Sequence, residues 1–349
     1  MSKKQENLAD FLSEQQTGEP LLCLLLAISN ICINIAEMTA QGALASITEK
    51  LDSQNIQGET QTQLDVLSND LFIDGLRNCD VVAGLVSEEM DDVVNIRAAQ
   101  YLVAFDPLDG SSNVAVNVSV GSIFSVLNAP ASRMPTESDY LQPGNQQVAA
   151  GYALYGPATM LVLTIGKGTH GFTLDSAAKT FVLTHANMQV AETTSEFAIN
   201  ASNERFWEAP IERYVGECKA GKEGVRGRDF NMRWVASMVA DVHRILLRGG
   251  IYLYPRDSKK PIKAGRLRLM YEASPMSFLA EQAGGKSSTG STRVMDIVPE
   301  GVHQRVPIMI GTAQEVSLVE CYTQSHDSGD THRGFSQLFG DRSLFHKKQ

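Results

Sequence analysis

Cysteine is sparse in this chain and never paired. Five cysteines, at positions 23, 32, 79, 218 and 321, are scattered over 349 residues, and none is spaced C-x-x-C. That scatter argues against a disulfide framework or a zinc site and points to a reducing compartment. Positive charge is also in deficit: 30 Lys and Arg stand against 40 Asp and Glu, a net charge of −10. A general nucleic-acid binder would carry a basic face, so nucleic acid is not expected as a partner. The same deficit says little against phosphate esters, because a metal ion reverses the field around a few carboxylates. Long apolar runs are missing too. Leu21–Ile35 is interrupted by Ser29, Asn30 and Asn34 and is too short to span a bilayer, so it reads as a buried or interface helix. The start, Met1-Ser2-Lys3-Lys4-Gln5-Glu6, is polar and leads into no signal-peptide core. These absences describe a cytoplasmic protein without a membrane partner. Hydrophobic content of 43% and charged content of 20% are ordinary for a globular protein. The length suits two modest domains on one extended core, or one large α/β unit.

No internal repeat is visible. A helix is expected from about Pro20 to Met38, with proline in its favoured first turn, and a second from Leu64 to Asn78. Two short apolar runs follow, Val81–Val86 leading to Ser87-Glu88-Glu89, and Tyr101–Phe105 ending at Asp106. Val114 to Leu183 reads as β-rich, interrupted by a polar loop from Asn128 to Gln147. Ala191–Ser195 reads as a linker. Beyond it come a strand at Glu196–Ile199, a helix around Trp234–Leu247, a strand at Ile251–Tyr254 and a helix near Ser274–Ala283. From Thr323 onward the chain is polar and reads as a surface appendage.

The chemistry-bearing residues concentrate where the two apolar runs end. Strands ending in carboxylates place acidic groups together at one sheet edge, where α/β proteins hold ligands. Phosphate monoester hydrolysis is very slow unaided, and hard divalent cations on carboxylates both neutralise phosphate charge and generate a nucleophile. Glu88, Asp106 and Asp109 suit that role, with the Leu108 carbonyl between the aspartates. Gly110-Ser111-Ser112 supplies small residues whose N–H groups can approach phosphate oxygens. Each feature alone has a plainer reading: a Glu-Glu pair is usually a solvated face, and Asp-Pro-x-Asp-Gly is often only a turn. Pattern alone leaves phosphatase and passive cation binding both open.

The run Phe105-Asp106-Pro107-Leu108-Asp109-Gly110-Ser111-Ser112-Asn113 resembles the signature of class 1 fructose-1,6-bisphosphatases. Leu64–Asp70, Leu85–Glu89, Ala149–Gly156, Ser237–Arg244 and Leu267–Glu272 resemble that family's other blocks, in order, from about Thr17 to Thr312. The resemblance implies a layered α-β-α-β-α sandwich, a homotetramer, and hydrolysis of fructose 1,6-bisphosphate to fructose 6-phosphate by Mg2+-activated water, with Mn2+ as a substitute. It divides the chain into a metal-site and allosteric-type domain (1–192), a sugar-phosphate-binding domain (193–322) and a tail (323–349). It assigns Glu88, Asp106, Leu108, Asp109 and Glu272 to the metal, and Asp65 and Glu89 to deprotonation of the attacking water. Glu59 is added on a loop where relatives commonly carry an aspartate. Gly110, Ser111 and Ser112 are to hold the departing phosphate, with Asp109 also assigned to substrate binding. Asn203, Arg233, Trp234, Tyr252, Tyr254 and Arg266 are to hold the sugar and its other phosphate, with Arg233 reaching into a neighbouring subunit's site. Taken alone, Arg233 and Asn203 read as surface and Tyr254 as core.

Three substrate-side positions depart from the family pattern. Trp234 stands where a tyrosine is usual, Phe206 lies near another expected tyrosine, and Arg266 replaces a lysine. Arginine's planar fork does not reproduce a point-like ammonium, so altered discrimination among sugar bisphosphates is expected. Gly265–Glu272 resembles the bacterial carbon-fixation branch, some of whose members also accept sedoheptulose 1,7-bisphosphate. A sedoheptulose-1,7-bisphosphatase or dual-specificity enzyme is therefore the alternative, and a non-catalytic sugar-phosphate sensor the distant one. On the nucleotide side, Gln100 and Asn145 stand where AMP-inhibited relatives carry cations, and Leu21 replaces a hydroxyl residue. Weak or absent AMP inhibition is expected.

Overall fold

The computed structural model describes residues 6–45, 50–54, 60–130 and 132–328. Five layers stack in the order helix, sheet, helix, sheet, helix, as expected from the resemblance. The larger sheet has eight strands in the order Thr180–Met188, Thr169–Asp175, Thr159–Thr164, Ala149–Tyr155, Val120–Asn128, Tyr101–Asp109, Val82–Ser87 and Val94–Asn95. Neighbours are antiparallel except Val82–Ser87 and Tyr101–Asp109, which run parallel. The smaller sheet orders Asn231–Met232, Glu196–Ile199, Ile251–Tyr254, Ile308–Gly311 and Lys286–Ser288.

The period-2 alternation of side chains along each strand divides the core into layers. In Ile251–Tyr254, Ile251 and Leu253 pack with Ile211, Tyr214, Val316 and Val319 of the outer helices Ala209–Ala220 and Ala313–Asp327. Tyr252 faces the opposite way, into a layer shared with Val239, Val242 and Met276 of Met238–Arg248 and Ser274–Gln282. On the larger sheet, Ile123 and Tyr152 join this middle layer, whereas Phe105 and Phe124 point outward to the first helical layer. There the Phe72 ring stacks on Phe105 at 4.7 Å. Each such buried apolar side chain contributes roughly 1.5–3 kcal/mol relative to leaving it exposed.

The apolar run read at Leu21–Ile35 lies in a longer helix, Glu19–Gln41, long and apolar enough by composition to cross a membrane. Its Leu24, Leu25, Ile28, Ile31, Cys32 and Ile35 are buried in the first core layer, while Asn30 and Asn34 face solvent. The burial accounts for the apolar content.

Three boundaries differ from the sequence reading. The helix expected around Trp234 begins at Met238, because Ala236 takes a left-handed φ of 65° and Ser237 caps the helix through Ala240 N–H. Trp234 therefore sits in the preceding loop. The polar segment from Asn128 to Gln147 contains a one-turn helix, Glu137–Tyr140, whose Tyr140 ring is buried. The last helix continues through Thr323 to Asp327, so the first residues assigned to the polar tail are helical.

Candidate active site

The parallel pair of strands brings the carboxylates together. Ser87 is opposite Phe105 in the ladder, and Glu88 N–H donates to the Phe105 carbonyl at 3.1 Å. Glu88 and Glu89 thus leave one strand beside the point where Asp106 lies on the next. The second strand does not stop at Phe105: it continues to Asp109. In a regular strand, residues three apart point to opposite faces. Here Asp106 pairs with Ile123 but Asp109 with Gly121, so three steps on one strand match two on the other. This bulge, with Pro107 inside it, re-aims one side chain, as bulges do. Carboxylate oxygens of Asp106, Asp109 and Glu272 consequently lie within 4.8 Å of one another.

Glu272 comes from the other half of the chain. It lies in a π-helical turn, Leu269–Ala273, running into helix Ser274–Gln282. Such turns occur frequently at functional sites. Arg268 N–H donates to Glu272 at 2.6 Å, and the Arg268 guanidinium lies 2.7 Å from Glu88. Asp109 accepts from Ser237 Oγ at 2.6 Å and from Val239 N–H at 2.9 Å, which fixes it to the start of helix Met238–Arg248.

The electrostatics ask for a cation. Glu88, Asp106, Asp109 and Glu272 are all under 9% exposed. Burial first, then the charges of Glu88, Asp109 and Glu272, pushes the Asp106 carboxyl well above the usual range. Glu272 is raised by burial and by Glu88, against the lowering pull of Arg268. Burial also raises Asp109, opposed by its donors at Ser237 and Val239. Arg268 offsets part of the charge of these four carboxylates, and buried charges persist only when paired or metal-bound. An all-oxygen donor set, including the Leu108 carbonyl on the bulged strand, fits a hard divalent cation.

A cavity of about 330 Å³ opens over this cluster, lined also by Asp65, Glu89, Gly110, Ser111, Ser112, Tyr254 and Arg266. Asp65 is held at the N-terminus of helix Gln63–Arg77 by a capping box: its carboxylate accepts from Thr62 N–H at 2.6 Å and Thr62 Oγ1 at 2.8 Å. Burial pushes its carboxyl up to about 6, opposed by the Thr62 N–H and hydroxyl and by the Ser111 hydroxyl, and assisted by the charge of Glu89. Gly110 has a φ of +78°, and a Cβ there would meet Ser237 Cβ at 2.7 Å, so both conformation and space demand glycine. Ser111 opens a short 3₁₀ turn, Ser111–Val116, whose first N–H groups have no intrahelical acceptor.

The remaining expected residues are arranged differently. Trp234 stacks flat on Tyr252 at 5.5 Å, and both meet the Tyr254 ring edgewise. Tyr252 is buried beneath that stack, and only Tyr254 reaches the cavity. Asn203 lines a neighbouring depression with Trp207, Tyr254 and Asp257. Arg233 is half exposed, 3.9 Å from the buried Glu196. Arg266 donates to both oxygens of Asp257, at 3.0 and 3.1 Å. Asn145 donates to Asp296 at 3.2 Å, and Gln100 is exposed. Glu59 lies outside the described residues.

Three cavity-lining cations, Lys263, Arg268 and Arg305, escaped the sequence reading. Arg268 was signalled by its place four residues before Glu272. Lys263 was signalled by the concentration of basic residues from Arg256 to Arg266 in an acidic chain. Arg305 is placed by the pairing of Arg305–Val306 with Leu267–Arg268, which no local pattern announces.

The chain matches two family models: fructose-1-6-bisphosphatase, N-terminal domain, over residues 6–186, and its C-terminal domain over residues 190–324. It is 51% identical over 348 residues to a protein of Methylibium petroleiphilum named fructose-1,6-bisphosphatase class 1 3, covering 97% of each chain. It is 50% identical over 354 residues to the fructose-1,6-bisphosphatase class 1 of Methylacidiphilum infernorum, covering 99% of each. The Leishmania major fructose-1,6-bisphosphatase crystal structure in holo form superposes with a TM-score of 0.85 at 34% identity, covering 92% of this chain and 100% of that one. The apo form gives 0.82. This chain belongs to the class 1 fructose-1,6-bisphosphatase family.

Proposed function

We propose that this chain hydrolyses fructose 1,6-bisphosphate to fructose 6-phosphate and inorganic phosphate at the cavity over Asp106, Asp109 and Glu272. The observation that carries the reading is the convergence of these buried carboxylates from two halves of the chain beside Asp65 and Glu89. Mg2+ is the proposed cation, with Mn2+ a substitute, held by Glu88, Asp106, the Leu108 carbonyl, Asp109 and Glu272. When bound, it supplies charge neutralisation at the phosphoryl group and lowers the pKa of water.

The protein's own groups do the rest. Glu89 and Asp65, lining one side of the cavity, take the proton from the attacking water. Asp65 suits this because its raised pKa, about 6, leaves it ionised yet basic near neutral pH. Water oxygen bonds to phosphorus while the bond from phosphorus to the sugar's 1-oxygen breaks. The leaving sugar oxygen takes a proton from solvent, and the phosphate stays briefly with Gly110, Ser111 and Ser112. Tyr254 and Arg266, which line the same cavity, hold the sugar bisphosphate, with Asn203 in the depression beside Tyr254 and the Trp234–Tyr252 stack against its ring. Arg233, half exposed at the edge of its sheet, is proposed to serve a neighbouring subunit in a homotetramer. The compartment proposed is the cytoplasm.

A phosphate-release assay with and without Mg2+ tests this, run on fructose 1,6-bisphosphate and sedoheptulose 1,7-bisphosphate. Metal-dependent release of one phosphate, leaving fructose 6-phosphate, is expected. Comparable rates on the heptose would make this a dual-specificity enzyme. Binding without release would make it a sensor. AMP is expected to inhibit weakly or not at all: Gln100 carries no charge, and the amide of Asn145 is engaged by Asp296. Micromolar inhibition would refute that.

A further inference from the structure

The segment Pro255–Arg266 carries five cations, Arg256, Lys259, Lys260, Lys263 and Arg266, against a single acid, Asp257. In a chain of net charge −10, four net positive charges within twelve residues stand out. Both ends of this segment are fastened. At its start, Asp257 bridges to Trp207 in a strand-like contact, and Ser258 N–H donates to the Phe206 carbonyl at 2.9 Å. At its finish, Gly265 lies so close to the Val306 backbone that a Cβ would meet it at about 2.0 Å, and Leu267 pairs with Val306. The Asp257–Arg266 ion pair ties one end to the other. Between them, Lys259, Lys260 and Pro261 are exposed and Ile262 is 72% exposed. Lys263 is the exception, half-buried on the cavity wall with Tyr254 and Arg266.

We propose that Lys263 is a specificity-determining residue that contacts the phosphate the sugar retains, carried on a basic flap fastened at both ends. The inference deepens the proposed function and rests on it. An ammonium is a compact charge with rotatable donors, so it can follow a phosphate whose position shifts with sugar length. The planar fork of Arg266, held by Asp257, is confined to one orientation. The two cations divide the work: Arg266 fixes and Lys263 adapts. The carboxylates that hold the cation lie on other elements, so loss of Lys263 affects recognition of the retained phosphate and not the chemical step.

The test compares wild type, Lys263→Met, Lys263→Arg and Lys260→Met with Mg2+ on fructose 1,6-bisphosphate and on fructose 1-phosphate, which lacks the second phosphate. Lys263→Met is expected to raise KM for the bisphosphate about tenfold with kcat unchanged, the size of one charge-assisted contact in a partly solvated place. KM for fructose 1-phosphate should not move, Lys263→Arg should recover most of the affinity, and Lys260→Met should behave as wild type. Binding of fructose 6-phosphate, measured by calorimetry, gives a readout independent of turnover and should weaken about tenfold in Lys263→Met alone. Equal changes for both substrates, or unchanged binding of fructose 6-phosphate, would overturn the assignment while leaving the phosphatase reading intact. A wild type inert on both substrates would overturn the two together.

Discussion

The two walls of the cavity are built on opposite physical terms. The carboxylate wall is buried and fixed by strand register and backbone donors; burial first, and for Asp106 the neighbouring carboxylates as well, raises its pKa values. The basic side combines the partly exposed Lys263 and Arg266 with the buried Asp257 that pairs with Arg266, and with a stack of rings formed by Trp234 and strand Ile251–Tyr254. A buried charge is costly unless its partner is present, so the first wall carries a stability cost that a bound cation would offset. A solvated charge is nearly neutral for stability, so the second can vary without unfolding the protein. Arg266, one departure from the family pattern, lines the cavity on the second side, and Trp234, another, meets the Tyr254 ring there. We therefore expect substitutions in the first wall to act on the chemical step and those in the second to act on selectivity.

The sharpest way to break this contrast is at Asp109. Replacing it with Asn keeps an oxygen for Ser237 and Val239 but removes a charge from the cation site. A loss of at least about 10³-fold in kcat is expected, several kcal/mol of lost transition-state stabilisation. In the metal-free protein the same change should raise the melting temperature, because one member of a repelling cluster is gone. Calorimetry with chelator checks this. Retained activity, or a lower melting point without metal, would mean the carboxylates are not poised against one another.

Asp65 gives the next effect. Asp65→Asn should cost about 10²–10⁴ in kcat, the usual contribution of a general base. Its stability effect has a definite sign. With a folded pKa of about 6 against an ordinary value of 3.8, the native state holds a proton that the unfolded chain releases. Stability from this group therefore declines as pH rises from about 4 through 6, and the full penalty applies above. A shift of that size corresponds to roughly 3 kcal/mol. Asp65→Asn should stabilise the metal-free protein at pH 8 and do little at pH 4, as denaturant titrations at the two pH values would register. A smaller gain would measure how much of the capping interaction with Thr62 depends on the charge.

Much of the first wall was legible in the sequence because buried strands have to be apolar and then stop being so. Val82–Val86 and Leu102–Phe105 are uninterrupted, which makes Glu88 and Asp106 conspicuous. What could not be read was the bulge, since pairing three residues against two is a property of the partner strand. The contribution of Glu272 likewise needed a contact between distant segments, and only the resemblance supplied it. The second wall was less legible. Asn203 and Arg233 sit outside the cavity, and Trp234 was assigned to a helix that starts four residues later. Lys263 belongs to a segment without periodicity, where side-chain direction follows from how both ends are anchored.

Asp257 tests the second wall at moderate scale. Asp257→Asn removes the charge that holds the Arg266 fork but keeps a hydrogen-bonding shape. KM for fructose 1,6-bisphosphate should rise no more than about tenfold with kcat preserved, the range of one loosened charged hydrogen bond. In an Arg266→Lys background the same substitution should have less effect, because an ammonium does not use the fork. Full additivity of the two changes would show that Asp257 acts on the fold and not through Arg266.

The smallest effect is expected at Trp234, and it separates packing from polarity on the basic wall. The indole lies flat on Tyr252 with an interplanar angle of 5° and meets Tyr254 at 64°. This stack limits how far the Tyr254 ring can tilt into the cavity. Trp234→Tyr adds a hydroxyl but shrinks the stacked surface, so a gained donor competes with a looser platform. Up to about fivefold change in KM is expected, since a new exposed hydrogen bond and a partial loss of stacking are each worth about 1 kcal/mol. The direction identifies the winner. A lower KM means the hydroxyl reaches the retained phosphate, and the wall is then limited by its donors. A higher KM means the platform matters more, and the indole is here because it holds Tyr254 in place. A change in kcat in either direction would tie Trp234 to the chemical step and erase the distinction between the two walls.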